Sequence, residues 1–285
     1  MVLGRATLAR ALAALMLACA LLALAACAPQ PRIPASGPSV SSTTESAEAE
    51  PAPPSPPSAI APASSGIPAD SSDASAAEVK PSICYLGQAS VRIVTPEGKV
   101  IYIDPYAGED AWYELPADLI LVTHAHFDHN GLDRVANRSA DCRVITQADA
   151  VVDGEHLTFD LGFATVVPVQ AGFNALHDVR DCVGYVIELS DGTSVYLTGD
   201  TSTTDDMRGG TLAAMHIDYA FWCTDGVYNM GNDEAAEAAR MAGAAHNIPY
   251  HNDTSNSGEM FDCEAAEKFA APNAMVVLPG EEVSL

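Results

Sequence analysis

Leu119-Ile120-Leu121-Val122-Thr123-His124-Ala125-His126-Phe127-Asp128-His129-Asn130-Gly131 runs from a short apolar segment straight into a loop with four metal-competent side chains in six residues. A divalent cation needs several lone-pair donors converging on one point. Convergence costs least chain entropy when one short loop supplies them. Histidine and aspartate both offer free lone pairs near neutral pH. Three of the chain's eight histidines lie in this loop. With the loop at the C-terminal end of a strand, His124 and His126 alternate and can face one cation. Asp128 and His129 follow the turn and can serve a second, a few Å away. A single tetrahedral zinc needs only three such ligands and a water, so four in one loop point to a metal pair.

The segments around the loop read as strands alternating with short helices. Residues 83–94 are apolar and β-branched, Pro96-Glu97-Gly98-Lys99 supplies a turn, and Val100-Ile101-Tyr102-Ile103 continues as a strand. Further strands are expected at 119–122, 143–146, 163–169, 183–189 and 194–197, with Asp191-Gly192 marking a hairpin. A short helix is expected after Gly131, and a longer Ala-rich one at 233–244, capped by Asn232 or Asp233. A strand at 245–248, a helix at 262–270 and a buried strand at 274–278 would close an α/β domain.

Thr123-His124-x-His126-x-Asp128-His129-x-Gly131 resembles the HxHxDH signature of the metallo-β-lactamase superfamily. Three more elements resemble that family, in its order: Ile103-Asp104-Pro105, Thr198-Gly199-Asp200-Thr201 and Ile248-Pro249-Tyr250-His251. Together they span most of residues 83–280, and they look most similar to the single-domain branch with lactonase-like and phosphodiesterase-like members. The resemblance implies a four-layer αββα sandwich with metals at the sheet edge. It also implies that His124, His126 and a third histidine hold one metal, that Asp128, His129 and His251 hold the other, and that Asp200 bridges them. Two histidines lie between the loop and Asp200: His156, in a turn ahead of a strand, and His177, where the family places its ligand. His177 is favoured.

Two of these roles have support apart from the resemblance. Cations a few Å apart repel, and an anionic bridge such as Asp200 relieves that repulsion. Metal-bound imidazoles usually donate their other N–H to a carboxylate, a task that suits Asp104 at a neighbouring strand end. His216 and His246 are read as structural. Trp222, Cys223 and Tyr228 are placed in a loop after a strand, where core packing is the commoner role and shaping a substrate pocket the alternative, with residues 226–230 as candidate substrate contacts.

Upstream, Arg5 and Arg10 precede an Ala- and Leu-rich run at 11–26, too short for a comfortable membrane span. It ends in Leu24-Ala25-Ala26-Cys27, which resembles a bacterial lipobox and makes Cys27 the expected lipidation site at the close of a signal peptide over 1–27. Residues 28–78 are rich in Pro, Ser and Ala and lack apolar bulk, so a disordered tether is expected before a hydrolase domain at 79–285. The expected location is the outer face of the cell membrane.

From residue 79 onward there are 10 Lys and Arg against 32 Asp and Glu. A field of that sign repels nucleic acid, leaving a small-molecule substrate and the anchoring membrane as expected partners. Cys84, Cys142, Cys182, Cys223 and Cys263 show no CxxC spacing, so no structural zinc knot is expected. HExxH, Walker, GxSxG and GxGxxG motifs are absent. The expected function is a dinuclear metal-dependent hydrolase. A hydroxide between the metals would attack an ester, lactone, amide or phosphodiester, with Asp128 and Asp200 as catalytic carboxylates. Zinc suits a donor set rich in histidine, with manganese or iron as alternatives. A surface protein that binds metal or ligand without turnover is the competing reading.

Overall fold

The computed structural model describes residues 80–254 and 260–285. The expected signal peptide at 1–27, its Cys27 and the tether at 28–78 lie outside the described residues. The described chain begins with β1 (Ser82–Gly87), β2 (Ser90–Val94), β3 (Val100–Ile103), β4 (Ala117–Leu121) and β5 (Arg138–Ile145). A two-stranded ribbon of β6 (Val151–Val152) and β7 (Glu155–His156) follows. The next strands are β8 (Phe159–Asp160), β9 (Ala164–Gln170), β10 (Val183–Leu189), β11 (Ser194–Leu197), β12 (Tyr219–Cys223) and β13 (His246–Tyr250). Finally β14 (Glu282–Ser284) returns to pair antiparallel with β1. One six-stranded sheet has the order β14-β1-β2-β3-β4-β5 and the other the order β13-β12-β11-β10-β9-β8.

Alternation along the strands explains the layering. Ile83 and Tyr85 share a core with Ile101, Ile103, Tyr185, Ile187, Leu197 and Phe221, drawn from both sheets. Their neighbours Cys84, Leu86, Tyr102 and Ile120 form a separate cluster with Tyr113 and Val135. Period-two side chains thus give the first sheet two buried faces, one against its partner sheet. Fully burying a side chain such as Ile101 or Phe221 stabilises by about 1.5–3 kcal/mol.

The helices are α1 (Gln147–Ala150), α2 (Asp205–Arg208), α3 (Asn232–Ala242) and α4 (Cys263–Ala266). α3 buries Ala235, Ala238, Ala239 and Ala242, a small-residue face that lets the helix lie close to the second sheet. These layers make the αββα sandwich that the sequence motifs imply.

Local differences from the sequence reading have physical causes. The run at 83–94 is broken at Gly87-Gln88 into the hairpin β1–β2. Asn232 does not cap α3, because its side-chain amide donates to Ala265 O at 2.9 Å, and Gly231 takes the cap position. The helix expected at 262–270 is the four-residue α4, with Asp262 Oδ1 accepting from Ala265 N at its start. The strand expected at 274–278 does not form. Ala274 makes a single bridge to Asn247, and Val276 and Leu278 stay exposed. Two residues beyond Asn247 on the same edge of β13, Pro249 has no N–H to extend that pairing.

The connectivity places chemistry at one edge. β1, β3, β4, β9, β11, β12 and β13 all deliver their C-terminal ends there, leading into Gln88, Asp104, the histidine loop, the His177 loop, Asp200, Asp225 and His251. Backbone bonds join the two sheets at that edge: His251 N donates to Gln88 O at 2.9 Å, and Val183 N to Thr123 O at 3.0 Å.

Candidate metal centre

His124, His126 and His177 offer ring nitrogens within 4.8 Å of one another, as do the donors of Asp128, His129 and His251. A third group, His124, His129 and Asp200, overlaps both. Asp200 is the link. Its Oδ1 lies 3.2 Å from His129 Nε2 and 3.3 Å from His251 Nε2, while Oδ2 lies 3.3 Å from His177 Nε2. The two carboxylate oxygens therefore divide between the two histidine groups.

Each buried histidine is oriented from behind. His129 Nδ1 lies 2.8 Å from Asp104 Oδ2, His177 Nδ1 3.1 Å from Asn174 Oδ1, and His124 Nδ1 3.1 Å from Thr123 Oγ1. His251 Nδ1 faces Asp225 Oδ2 at 3.5 Å, the separation of an ion pair rather than a hydrogen bond. With Nδ1 anchored, Nε2 turns toward the centre. Asp104 is itself fixed: its two oxygens accept from Thr123 N and Thr123 Oγ1, both at 2.7 Å.

The donors fit a metal. The buried atoms His124 Nε2, His129 Nε2 and Asp200 Oδ1 have no hydrogen-bond partner; the His129–Asp200 contact is close but not aligned as a hydrogen bond. Orphaned buried polar atoms are costly, and a cation at their meeting point would satisfy them.

The protonation pattern of the protein without metal points the same way. Burial, followed by the neighbouring His129, pushes the pKa of His124 down to about 2, so its lone pair stays free. Burial opposes a charge on His129, but Asp200 and Asp104 outweigh it and raise the pKa to about 10. His251 is likewise raised against burial by Asp200, Asp128 and Asp225. Asp200 and Asp128 are held ionised despite burial, through His251 and His129. Protons on His129 and His251 thus occupy the positions where cations would balance the carboxylates.

The histidines and aspartates expected as ligands lie at this edge: His124, His126, Asp128, His129, His177, Asp200 and His251 converge, with Asp104 behind them. His156 sits on the β6–β7 ribbon, outside every donor group, and His216 and His246 are exposed. Trp222 and Cys223 belong to β12 rather than to the loop after it, and they are fully buried, in the core-packing role and not the pocket-shaping one. Tyr228 does line the cavity.

Sequence reading passes over three contributors: Asn174, Asp225 and Gln88. The Gln88 amide lies 3.1 Å from Asp128 Oδ2 and 3.0 Å from His251 Nε2. The signal that finds Gln88 and Asp225 is positional, since each closely follows a strand ending at this edge.

A family profile described as a beta-lactamase superfamily domain matches residues 82–251. A metal-dependent hydrolase of Rubrobacter xylanophilus is 32% identical over 242 residues, covering 70% of this chain and 95% of its own. Another from Thermococcus kodakarensis is 30% identical, with 70% and 98% covered. Among solved structures, the metallo hydrolase Igni18 of Ignicoccus hospitalis aligns with a TM-score of 0.54 and 20% identity, over 73% of this chain and 99% of that one. At that identity the likeness speaks for the fold alone. The sequence match and the relatives agree with the edge-on cluster of histidines and carboxylates: this chain belongs to the metallo-β-lactamase superfamily, among its UPF0173 metal-dependent hydrolases.

Proposed function

We propose that the protein is an exported, lipid-anchored hydrolase that works with two divalent cations, most naturally zinc. The observation that carries the two-metal reading is Asp200, whose oxygens face separate histidine groups 3.2–3.3 Å away. His124, His126 and His177 would hold one cation, Asp128, His129 and His251 the other, and Asp200 both. When bound, such a pair supplies Lewis acidity and makes water a competent nucleophile near neutral pH.

The chain's own residues do the rest. Asp104, Thr123, Asn174 and Asp225 fix the imidazoles before substrate arrives, so no reorganisation is needed at the moment of reaction. Asp128 is half-buried on the cavity wall and kept ionised, placed to hold or pass a proton at the reacting atom. Gln88 touches Asp128 and His251 together and restrains the carboxylate. Export and anchoring are supported by Arg5, Arg10, the apolar run at 11–26, Cys27 and the tether behind it.

The test is release of nitrophenolate from uncharged 4-nitrophenyl esters by the purified protein. Turnover that EDTA removes and zinc restores is expected. Turnover indifferent to chelation would contradict metal dependence.

A further inference from the structure

Phe127, Leu176 and Tyr228 come from three separate loops, following β4, β9 and β12, and meet around the mouth of the metal-centre cavity. All three are among the large apolar side chains left exposed, at 75%, 57% and 50%. Val227, next to Tyr228, is exposed at 64%. Exposed apolar groups gathered at a concave site mark a binding surface, whereas the same groups scattered singly need no explanation.

The collar is held by the groups that orient the metal-centre histidines. Asp225 Oδ1 accepts from Val227 N at 2.8 Å and Tyr228 N at 2.6 Å, while its Oδ2 faces His251. Asn174 Oδ1 accepts from Leu176 N at 2.9 Å and also meets His177 Nδ1. Phe127 lies between His126 and Asp128 and packs edge-on against Tyr106, with ring centroids 5.7 Å apart. Apolar collar and reactive centre are therefore in fixed register. The cavity, about 520 Å³, has room for a small acyl chain beside the reacting group.

Charge decides the class of molecule. Among the described residues no lysine or arginine lines this cavity, whereas Asp128, Asp200 and Asp253 do. Asp104, Asp128, Asp200 and Asp225 together carry the negative charge that two divalent cations would neutralise. A phosphodiester or carboxylate substrate would thus meet cations whose charge these carboxylates largely offset, and no cationic clamp at the mouth.

Resting on the hydrolase reading above, we propose that the substrate is an uncharged ester, lactone or amide with an apolar acyl chain, seated in the collar of Phe127, Leu176 and Tyr228. Water adds its oxygen to the acyl carbon, and the bond from that carbon to the leaving oxygen or nitrogen breaks. The leaving atom takes up a proton, and no oxidant or reductant is consumed.

The test has two arms. In the first, the zinc-loaded protein is assayed on 4-nitrophenyl octanoate, 4-nitrophenyl acetate and bis(4-nitrophenyl) phosphate. The expected kcat/KM for octanoate exceeds that for the other two by at least about tenfold, and Leu176→Ser and Tyr228→Ser each lower the octanoate-to-acetate ratio several-fold. In the second arm, 2-decanone and dibutyl phosphate are titrated into the chelated protein and followed by NMR. The ketone is expected to bind at the collar in clear preference to the anion. A preference for the phosphodiester, a ratio unmoved by both variants, or a ketone that leaves the collar resonances unshifted would overturn the proposal. No turnover of any ester with ketone binding retained would overturn the hydrolase reading and support the apolar collar.

Discussion

Asp104 Oδ2 stands 2.8 Å from His129 Nδ1, with both side chains sealed from solvent. Asp104 also accepts from the backbone and hydroxyl of Thr123, so one carboxylate sets the start of the histidine loop and the aim of its last imidazole. Its backbone lies in the left-handed region at φ +45°, which asparagine tolerates as well as aspartate does. Asp104→Asn is therefore expected to fold while weakening metal affinity about 10–100-fold. Competition with a chromogenic chelator measures this, and an unchanged affinity would show that the charge of Asp104 is not used.

Gly199 precedes Asp200 at φ +59°, and an added Cβ would meet Thr123 Cβ at 2.9 Å. Gly199→Ala combines left-handed strain of about 1–2 kcal/mol with pressure on the residue that Asp104 holds. The expected outcome is a lower Tm together with weakened metal binding. A variant with native Tm and native metal content would show that this close approach is not required.

Without metal, the buried centre should give a stability maximum near pH 6.5. The pKa of His129 rises from 6.5 to about 10, so its contribution is complete below 6.5 and is lost as pH climbs through 10. His124 falls from 6.5 to about 2, so below 6.5 the unfolded chain takes up a proton that the native state refuses, and stability drops toward acid. The lowered carboxyls of Asp128 and Asp200 add to that loss below 3.8. Thermal melts of chelated protein across this range should show both flanks. The alkaline flank should vanish in metal-saturated protein, because binding needs neutral imidazoles. A Tm of chelated protein that rises steadily with pH would contradict the assignment.

What the sequence reveals and what it hides divide along physical lines. The histidine loop is legible because four donors share one turn, and His177, Asp200 and His251 become legible through motif order. The strands from β9 to β11 are legible because period-two burial and the Asp191-Gly192 hairpin leave few alternatives. Asp225 and Gln88 are hidden, since their roles arise only when β12 and β1, from different sheets, end at the same edge. The closing segment misleads for a similar reason: residues 274–278 are apolar enough for a strand, but Pro249 denies them a donor across the sheet edge.

The most direct test of the two-metal centre is the metal content of the purified protein, by inductively coupled plasma mass spectrometry after gel filtration. Two divalent cations per chain are predicted, with His124→Ala retaining at most one. A wild-type chain that carries one cation or fewer, and whose content His124→Ala leaves unchanged, would contradict it.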